Sequence, residues 1–172
     1  MANGPDTLIE TMRIIEKDGQ GDILLLLMGD GMFFDELEKK AAGLGNVRIM
    51  KPVPKESLGS YLNCANLCLS WLNASWKILS SSSPNKFYDY LAAGKPVLIN
   101  YGGWIARFLE KWKCGMAVSS GDPADVARAI IFLRDHPELL EEMGKNARQA
   151  ALKIFNREIM VRRVEEIISK LR

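Results

Sequence analysis

The sequence predicts an α/β fold, in which a doubly wound parallel, Rossmann-like sheet is flanked by helices and followed by extra carboxyl-terminal helices. Helical and strand patterns alternate along the chain without a break. The strand patterns are short, continuous apolar runs bounded by turn residues, which is typical of parallel strands covered on both faces. The length of 172 residues, with 48% hydrophobic and 26% charged residues, suits one globular domain, residues 1–172.

Each predicted element follows from its local pattern. Helices show apolar residues at spacings of three and four, whereas strands are runs of branched and apolar residues between glycine, proline, serine or asparagine. Strands are predicted at residues 23–28, 47–50, 67–71, 96–99 and 115–118, and helices at residues 5–17, 33–42, 55–63, 84–93, 104–111, 123–134, 137–155 and 157–172. Because doubly wound folds bind ligands outside the carboxyl ends of their strands, the loops after the strands are the candidate binding regions.

Composition excludes several classes of function. A net charge of +2 without a dense Lys/Arg tract gives no support to nucleic-acid binding. No signal-peptide pattern is present, and the longest apolar run is too short to cross a bilayer, so we expect a cytoplasmic protein. Cys64, Cys68 and Cys114 lack C-x-x-C spacing, and His136 is the only histidine. We therefore expect reduced core cysteines and no metal site, with His136 a solvated loop residue.

Residues 80–100 read as a polar loop, a short helix, a glycine turn and a buried strand. Ser83 suits the N-cap and Pro84 the first helical position. Gly94 suits the left-handed residue that ends the helix. This order of parts is that of a ligand-binding corner in an α/β fold.

Lys86 is poorly placed if it serves only the helix, because a cation in the first turn opposes the helix dipole. It is well placed beside an anion, since free backbone N–H groups at the same helix end favour phosphate. One turn later, Asp89 could accept hydrogen bonds from sugar hydroxyls, as carboxylates do from ribose. The alternative is that Lys86 and Asp89 form an ordinary i,i+3 surface ion pair.

Two other loops are candidates. Gly29, Asp30 and Gly31 follow the first strand directly, so they are either a close approach of backbone to a ligand or a tight strand-to-helix turn. The serine-rich loop at residues 73–83 is long for its position, and long loops often serve binding. Its Trp76 is either a ligand contact or a ring packed on the surface.

Taken together, these segments resemble the carboxyl-terminal half of a family 4 retaining glycosyltransferase with the two-domain B-type fold. The resemblance covers almost the whole chain. Each segment is weak alone, but their order and spacing are specific. The matching segments are residues 3–9, 27–31, 46–49, 83–97 and 143–148.

The resemblance implies that this chain binds a nucleoside diphosphate sugar as donor substrate. The family signature has two glutamates with seven residues between them, and the second contacts the ribose hydroxyls. Asp89 stands at the second position, whereas Ser81 stands at the first and departs from the pattern. Backbone near Pro52 and Val53 is expected at the nucleobase. The expected donor-binding residues are Gly29, Asp30, Gly31, Pro52, Val53, Ser81, Ser83, Asn85, Lys86 and Asp89.

The implied activity is transfer of a sugar, with retention, from this donor to a glycan, lipid-linked or other acceptor, in the setting of bacterial polysaccharide assembly. No single catalytic residue, metal or cofactor is assigned. In the family an amino-terminal domain supplies the acceptor site in cis. Neither that domain, nor the donor-binding domain's first strand, nor the basic pair that grips pyrophosphate is found ahead of Asn3. We expect an inactive fragment of a longer enzyme.

Other readings stay open. A nucleotide-sugar epimerase shares the two-domain architecture but would need further acid–base residues. A flavodoxin-like interaction domain would have no donor site. The basic last helix favours a solvated face, with contact of the full enzyme to the inner face of a membrane as the alternative.

Overall fold

The structure is a computed structural model that describes residues 4–72, 83–118 and 122–170. Within these ranges helices and strands alternate up to the last three helices, so the predicted α/β class is confirmed. The elements in order are α1 (Pro5–Lys17), β1 (Leu25–Met28), α2 (Phe34–Ala41), β2 (Val47–Met50), α3 (Lys55–Cys64), β3 (Cys68–Ser70), α4 (Asn85–Ala92), β4 (Val97–Ile99), α5 (Trp104–Trp112), β5 (Gly115–Ala117), α6 (Pro123–Asp135), α7 (Pro137–Ile154) and α8 (Arg157–Ser169).

All described strand pairs are parallel, as predicted, but they form two sheets. One sheet contains β1 and β2, in register from Leu25↔Val47 to Met28↔Met50. The other has the order β3-β4-β5. The sequence predicted one doubly wound sheet. Among the described residues no backbone hydrogen bond joins β1 to β3, so the five strands form two separate sheets.

Two hydrophobic clusters hold these layers together. The first joins α1 and α6 to both sheets, so the unpaired sheets share one core. The second surrounds α4 and α5 and is largely aromatic. The buried members of the first cluster include Leu8, Ile9, Met12, Ile15, Leu25, Val47, Trp71, Leu98, Val126 and Ile130.

The expectation that the first strand is covered on both faces is wrong. Leu25 is 7% exposed and packs in the core, whereas Leu24 and Leu26 are 61% and 41% exposed. Alternate residues of a strand point to opposite faces, so one face of β1 packs towards α1 and the other faces solvent.

Polar side chains cap the amino ends of α6 and α8. The Asp122 side chain accepts a hydrogen bond from the Ala124 N–H at 3.0 Å, and Asn156 caps α8 by accepting from the Glu158 N–H at 2.9 Å. Prolines open α6 and α7 as predicted. Among the described residues, no helix is both long enough and apolar enough to cross a membrane.

The cysteine prediction is correct for two residues and wrong for the third. Cys68 and Cys114 are buried, and burial raises the pKa of Cys68 to about 11 and that of Cys114 to about 12. Cys64 is exposed, because it lies at the end of α3, a helix without buried residues.

Candidate functional site

The carboxyl ends of β1 and β2 lie side by side. The Gly29 N–H donates to the Met50 carbonyl at 3.0 Å, which continues the parallel ladder one step past β1. The turn through Gly31 and the segment Pro52-Val53 therefore leave the sheet at the same end. We call the segments 29–31 and 51–53 the glycine corner.

The glycine corner is open. Asp30, Gly31 and Pro52 are exposed, and Gly29 and Val53 are partly buried. A methyl group added at Gly29 or Gly31 would meet no atom within 4 Å, and neither residue has a positive φ. The turn itself does not require these glycines, and the free space beside them is available to a ligand.

Sequence reasoning missed a cation at this corner. The Lys51 ammonium lies 3.6 Å from the centroid of the Phe34 ring, and the Phe34 N–H donates to the Gly31 carbonyl at 2.9 Å. A cation over an aromatic face is attracted to it. Lys51 could have been recognised as a candidate from the sequence, because it directly follows a strand, as Gly29 does.

A second group of polar residues was also missed, at the carboxyl ends of β3 and β4. Ser70 Oγ and the Tyr101 hydroxyl lie 2.8 Å apart. Asn100 Oδ1 accepts from the Leu72 N–H at 2.9 Å, and its Nδ2 donates to the Leu72 carbonyl at 2.6 Å. Burial raises the pKa of Tyr101. These hydrogen bonds join the segments that follow β3 and β4. Asn100 could have been recognised from the sequence, because it is a polar residue directly after a buried strand.

The start of α4 differs from prediction in one detail. Pro84, not Ser83, is the N-cap; its φ of −70° and ψ of 132° are extended, so the helix begins one residue later, at Asn85. Ser83 makes no capping bond, because its hydroxyl contacts the Tyr88 hydroxyl instead. The proline at the first helical position and the serine cap are therefore corrected. The N–H groups of the first turn consequently have no side-chain cap.

Lys86 lies in this uncapped first turn. Its side chain is half-buried, and among the described residues it has neither an ion-pair partner nor a hydrogen-bond acceptor. Burial without a compensating anion lowers the pKa of the Lys86 ammonium. Asp89 is exposed and forms no ion pair with Lys86, so the alternative of a surface ion pair is not realised.

An aromatic cluster fixes the orientation of α4. Phe87 is fully buried, and four other rings surround it edge-on. The ring centroids lie 5.5 Å away for Tyr88, 5.7 Å for Trp104 and Phe108, and 6.5 Å for Phe155. Edge-to-face pairs at these distances are favourable. Because Lys86 is the neighbour of Phe87 in the chain, this cluster also fixes the backbone from which the Lys86 side chain extends.

The carboxyl end of α4 rests on α7. Gly94 has the predicted left-handed conformation, with φ of 67°. A Cβ added at Gly144 would lie 2.6 Å from the Gly94 carbonyl oxygen, so the two backbones touch. Arg148 Nη1 donates to the Ala92 carbonyl at 2.5 Å. Residues 143–148, singled out in the sequence, thus support the helix that carries Lys86.

The predicted site residues fall into two groups. The first is at the ends of β1 and β2, and the second, which we call the α4 corner, is at the start of α4; among the described residues no hydrogen bond joins the groups. Ser81 and Trp76 lie outside the described residues. No cluster of three or more His, Cys, Asp or Glu that could hold a metal is found in the described ranges. The groups are Gly29, Asp30, Gly31, Pro52 and Val53, and Ser83, Asn85, Lys86 and Asp89.

In doubly wound parallel α/β folds, ligands bind outside the carboxyl ends of the strands, where both corners lie. The sequence profile of the family described as "Glycosyl transferases group 1" matches residues 2–150. The chain belongs to that family. A comparison with curated protein sequences found no match.

Solved structures share the fold across nearly the whole chain. A glycosyltransferase from Rickettsia africae superposes with a TM-score of 0.77 at 17% identity, covering 99% of this chain and 45% of that one. Sucrose-phosphate synthase from Thermosynechococcus elongatus superposes with a TM-score of 0.75 at 21% identity, covering 99% of this chain and 42% of that one. Anabaena Alr3699/HepE, solved in complex with UDP, superposes with a TM-score of 0.72 at 17% identity, covering 98% of this chain and 45% of that one. The chain therefore spans less than half the length of these structures.

Proposed function

We propose that this chain is the donor-binding domain of a glycosyltransferase that moves a sugar from a nucleoside diphosphate sugar to a glycan, lipid-linked or other acceptor with retention. The family match supports sugar transfer. Anabaena Alr3699/HepE, which has this fold, was solved with UDP and with UDP-glucose.

The observation that carries the proposal is the Lys86 ammonium at the α4 corner, which has no anionic partner among the described residues. A half-buried ammonium without an anion is costly, and so are N–H groups of a helix start without acceptors. A diphosphate would relieve both at once, because its oxygens accept from Lys86 Nζ and from the first-turn N–H groups. The structure supplies no side chain that does so among the described residues.

We propose contacts for the remaining parts of the donor from the chemistry of the nearby residues. Asp89, one turn further along α4, is exposed and free to accept hydrogen bonds from ribose hydroxyls. The glycine corner leaves room for backbone to approach the sugar and the base, with Gly29, Asp30 and Gly31 on one segment and Pro52 and Val53 on the other. Ser81 is proposed as a neutral substitute for the first acidic residue of the family signature.

The chemistry proposed for the full enzyme is departure of the nucleoside diphosphate from the anomeric carbon as the acceptor attacks. Lys86 and the α4 amino terminus stabilise the charge that develops on the leaving diphosphate. Transfer also needs the acceptor held in the same cleft, and an amino-terminal domain is proposed to hold it. We therefore expect this chain alone to bind nucleotide but not to transfer sugar.

Isothermal titration calorimetry with UDP and GDP tests the proposal. We expect saturable binding of at least one nucleotide, weakened about 10- to 100-fold in Lys86→Met, the equivalent of losing one charge-assisted hydrogen bond. Asp89→Asn should weaken binding less. Lys55→Met is the matched control, because Lys55 also lies in the first turn of a helix after a proline but is exposed. Equal affinities for wild type and Lys86→Met, or no binding of either nucleotide, would contradict the proposal.

A further inference from the structure

Two hydroxyl groups meet at the carboxyl ends of β3 and β4 with one proton more than their hydrogen bond uses. Ser70 Oγ and the Tyr101 hydroxyl lie 2.8 Å apart, so one of them donates to the other. Each hydroxyl carries a proton, and in the described part of the chain neither has a second hydrogen-bond partner. One O–H group of the pair therefore has no acceptor there.

Burial decides which of the two hydroxyls keeps the free proton. Ser70 is fully buried, whereas Tyr101 is only partly buried. A fully buried O–H group without an acceptor is unfavourable, so the favoured arrangement has Ser70 donating to Tyr101. The Tyr101 proton is then available to another molecule. Burial raises the pKa of Tyr101, so its hydroxyl stays protonated at neutral pH and acts as a donor.

The face of α4 that carries Lys86 packs on the same two strands. Tyr90 lies one turn after Lys86 and so on the same face of the helix. Its hydroxyl donates to the Leu69 carbonyl of β3 at 3.4 Å. Burial raises the pKa of Tyr90 to about 12, with a smaller contribution from Tyr101, so the two tyrosine hydroxyls lie close to each other.

Lys86 and Tyr101 both lie beyond this contact, towards the carboxyl ends of the strands. Leu69 is in register with Leu98, and Tyr101 follows Leu98 by three residues, about 10 Å along an extended chain. The helix between two parallel strands runs against them, so Lys86, four residues before Tyr90, is about 6 Å nearer the carboxyl ends. An ammonium group without a described anionic partner and a hydroxyl with a free proton therefore lie at the same end of the sheet.

We propose that the Tyr101 hydroxyl is a further group that binds the sugar donor: it donates a hydrogen bond to the diphosphate that pairs with Lys86, and Ser70 orients it. This role of Tyr101 rests on the proposed function. Hydrogen bonds to charged oxygens are shorter and stronger than neutral ones. Negative charge grows on the diphosphate as it leaves the anomeric carbon, so the bond from Tyr101 strengthens in the transition state. The Tyr101 proton stays on its own oxygen throughout.

Isothermal titration calorimetry of Tyr101→Phe with UDP and GDP tests this role. The nucleotide that wild type binds should bind about tenfold more weakly to Tyr101→Phe, the loss expected for one hydrogen bond to a charged group. The matched control is Tyr90→Phe, because among the described residues the Tyr90 hydroxyl bonds only to the Leu69 carbonyl. This control should leave the affinity unchanged. Thermal melts of both variants show how much each hydroxyl contributes to folding.

Phosphorus NMR at saturating nucleotide separates contact from folding. In Tyr101→Phe the resonance of a bound phosphate should shift from its wild-type position, because the bond to its oxygen is lost, whereas in Tyr90→Phe it should not shift. Wild-type affinity and wild-type phosphorus resonances in Tyr101→Phe, in a chain whose affinity still depends on Lys86, would overturn the role of Tyr101 alone. Equal weakening by both tyrosine variants would also overturn it. Absence of UDP and GDP binding to wild type would overturn the proposed function as well.

Discussion

The two corners differ in how they are held. At the α4 corner, Phe87 is fully buried and Lys86 is half-buried beside it. At the glycine corner, Asp30, Gly31 and Pro52 are exposed, and α2, which follows, has no buried residue.

The contrast separates two tasks within one proposed site. A fixed charge needs a rigid support, because its energy of interaction with an anion depends on position. Close approach to a ligand needs space, which glycines provide. We therefore expect changes at the α4 corner to affect both stability and affinity, and changes at the glycine corner to affect affinity alone.

The largest expected effect is from Phe87→Ala. Removing a fully buried ring from the aromatic cluster should lower the free energy of unfolding by about 3–5 kcal/mol. The matched control is Phe33→Ala beside the glycine corner, where the ring is 37% exposed. That change should cost no more than about 1 kcal/mol. Urea denaturation of both variants measures the difference, and similar losses would remove the contrast between the corners.

The next effect is from Gly144→Ala. Alanine normally stabilises a helix relative to glycine, but here its Cβ would lie 2.6 Å from the Gly94 carbonyl oxygen, so α4 or α7 must shift. We expect a loss of about 1–3 kcal/mol in stability together with weaker nucleotide binding.

Gly59→Ala in α3 is the control, because a methyl group at Gly59 meets no atom within 4 Å. It should stabilise the chain by about 0.5–1 kcal/mol. If Gly144→Ala stabilised the chain as Gly59→Ala does, the contact between α4 and α7 described above would be wrong.

The pH dependence of binding sharpens the role of Lys86. Burial lowers the pKa of Lys86 in the free chain, and a bound diphosphate would raise it again. Affinity for UDP should therefore fall as pH rises from the lowered pKa of the free chain to the raised pKa of the complex. The sign for folding is opposite: the unfolded chain binds more protons at Lys86 in the window below its ordinary pKa of 10.5, so this group's contribution to stability rises with pH there.

Lys86→Met separates this effect from other titrations, since the buried thiols also titrate at high pH. The variant should lose the part of the pH dependence of UDP affinity that belongs to Lys86. An identical pH profile in wild type and Lys86→Met would exclude Lys86 as the group that responds to the anion.

The smallest expected effect is from Gly31→Ala. The added methyl group meets no atom within 4 Å, so stability should stay within about 0.5 kcal/mol. UDP affinity should fall about fivefold, roughly 1 kcal/mol for one methyl group forced against a ligand. Gly21→Ala, also in open space but before β1, should leave both quantities unchanged. Unchanged UDP affinity in Gly31→Ala would show that the glycine corner is not part of the donor site.

Many helix and strand bounds were predictable because they depend on local sequence patterns. The bounds of α1 and β2 agree with prediction, since a proline start and a short branched run are sufficient to define them. The starts of α6 and α8, at residues 123 and 157, were predicted for the same reason. The division into two sheets was not, because strand pairing depends on contacts distant in sequence.

The candidate site was predictable in residue type but not in environment. The sequence placed Lys86 in a first turn, but only the structure shows that its side chain is half-buried and lacks an ion-pair partner in the described part of the chain. Ser83 was predicted as a cap because serine favours that position, and the competing contact with Tyr88 could not be read from spacing. The bonds of Asn100 and Tyr101 were missed because their partners lie about 30 positions away.

A crystal structure of the chain with UDP would show directly whether the α4 corner binds the diphosphate. We expect a phosphate oxygen within about 2.7–3.2 Å of Lys86 Nζ and of a first-turn N–H of α4, with the ribose beside Asp89. A diphosphate bound away from α4, with Lys86 still unpaired, would contradict it.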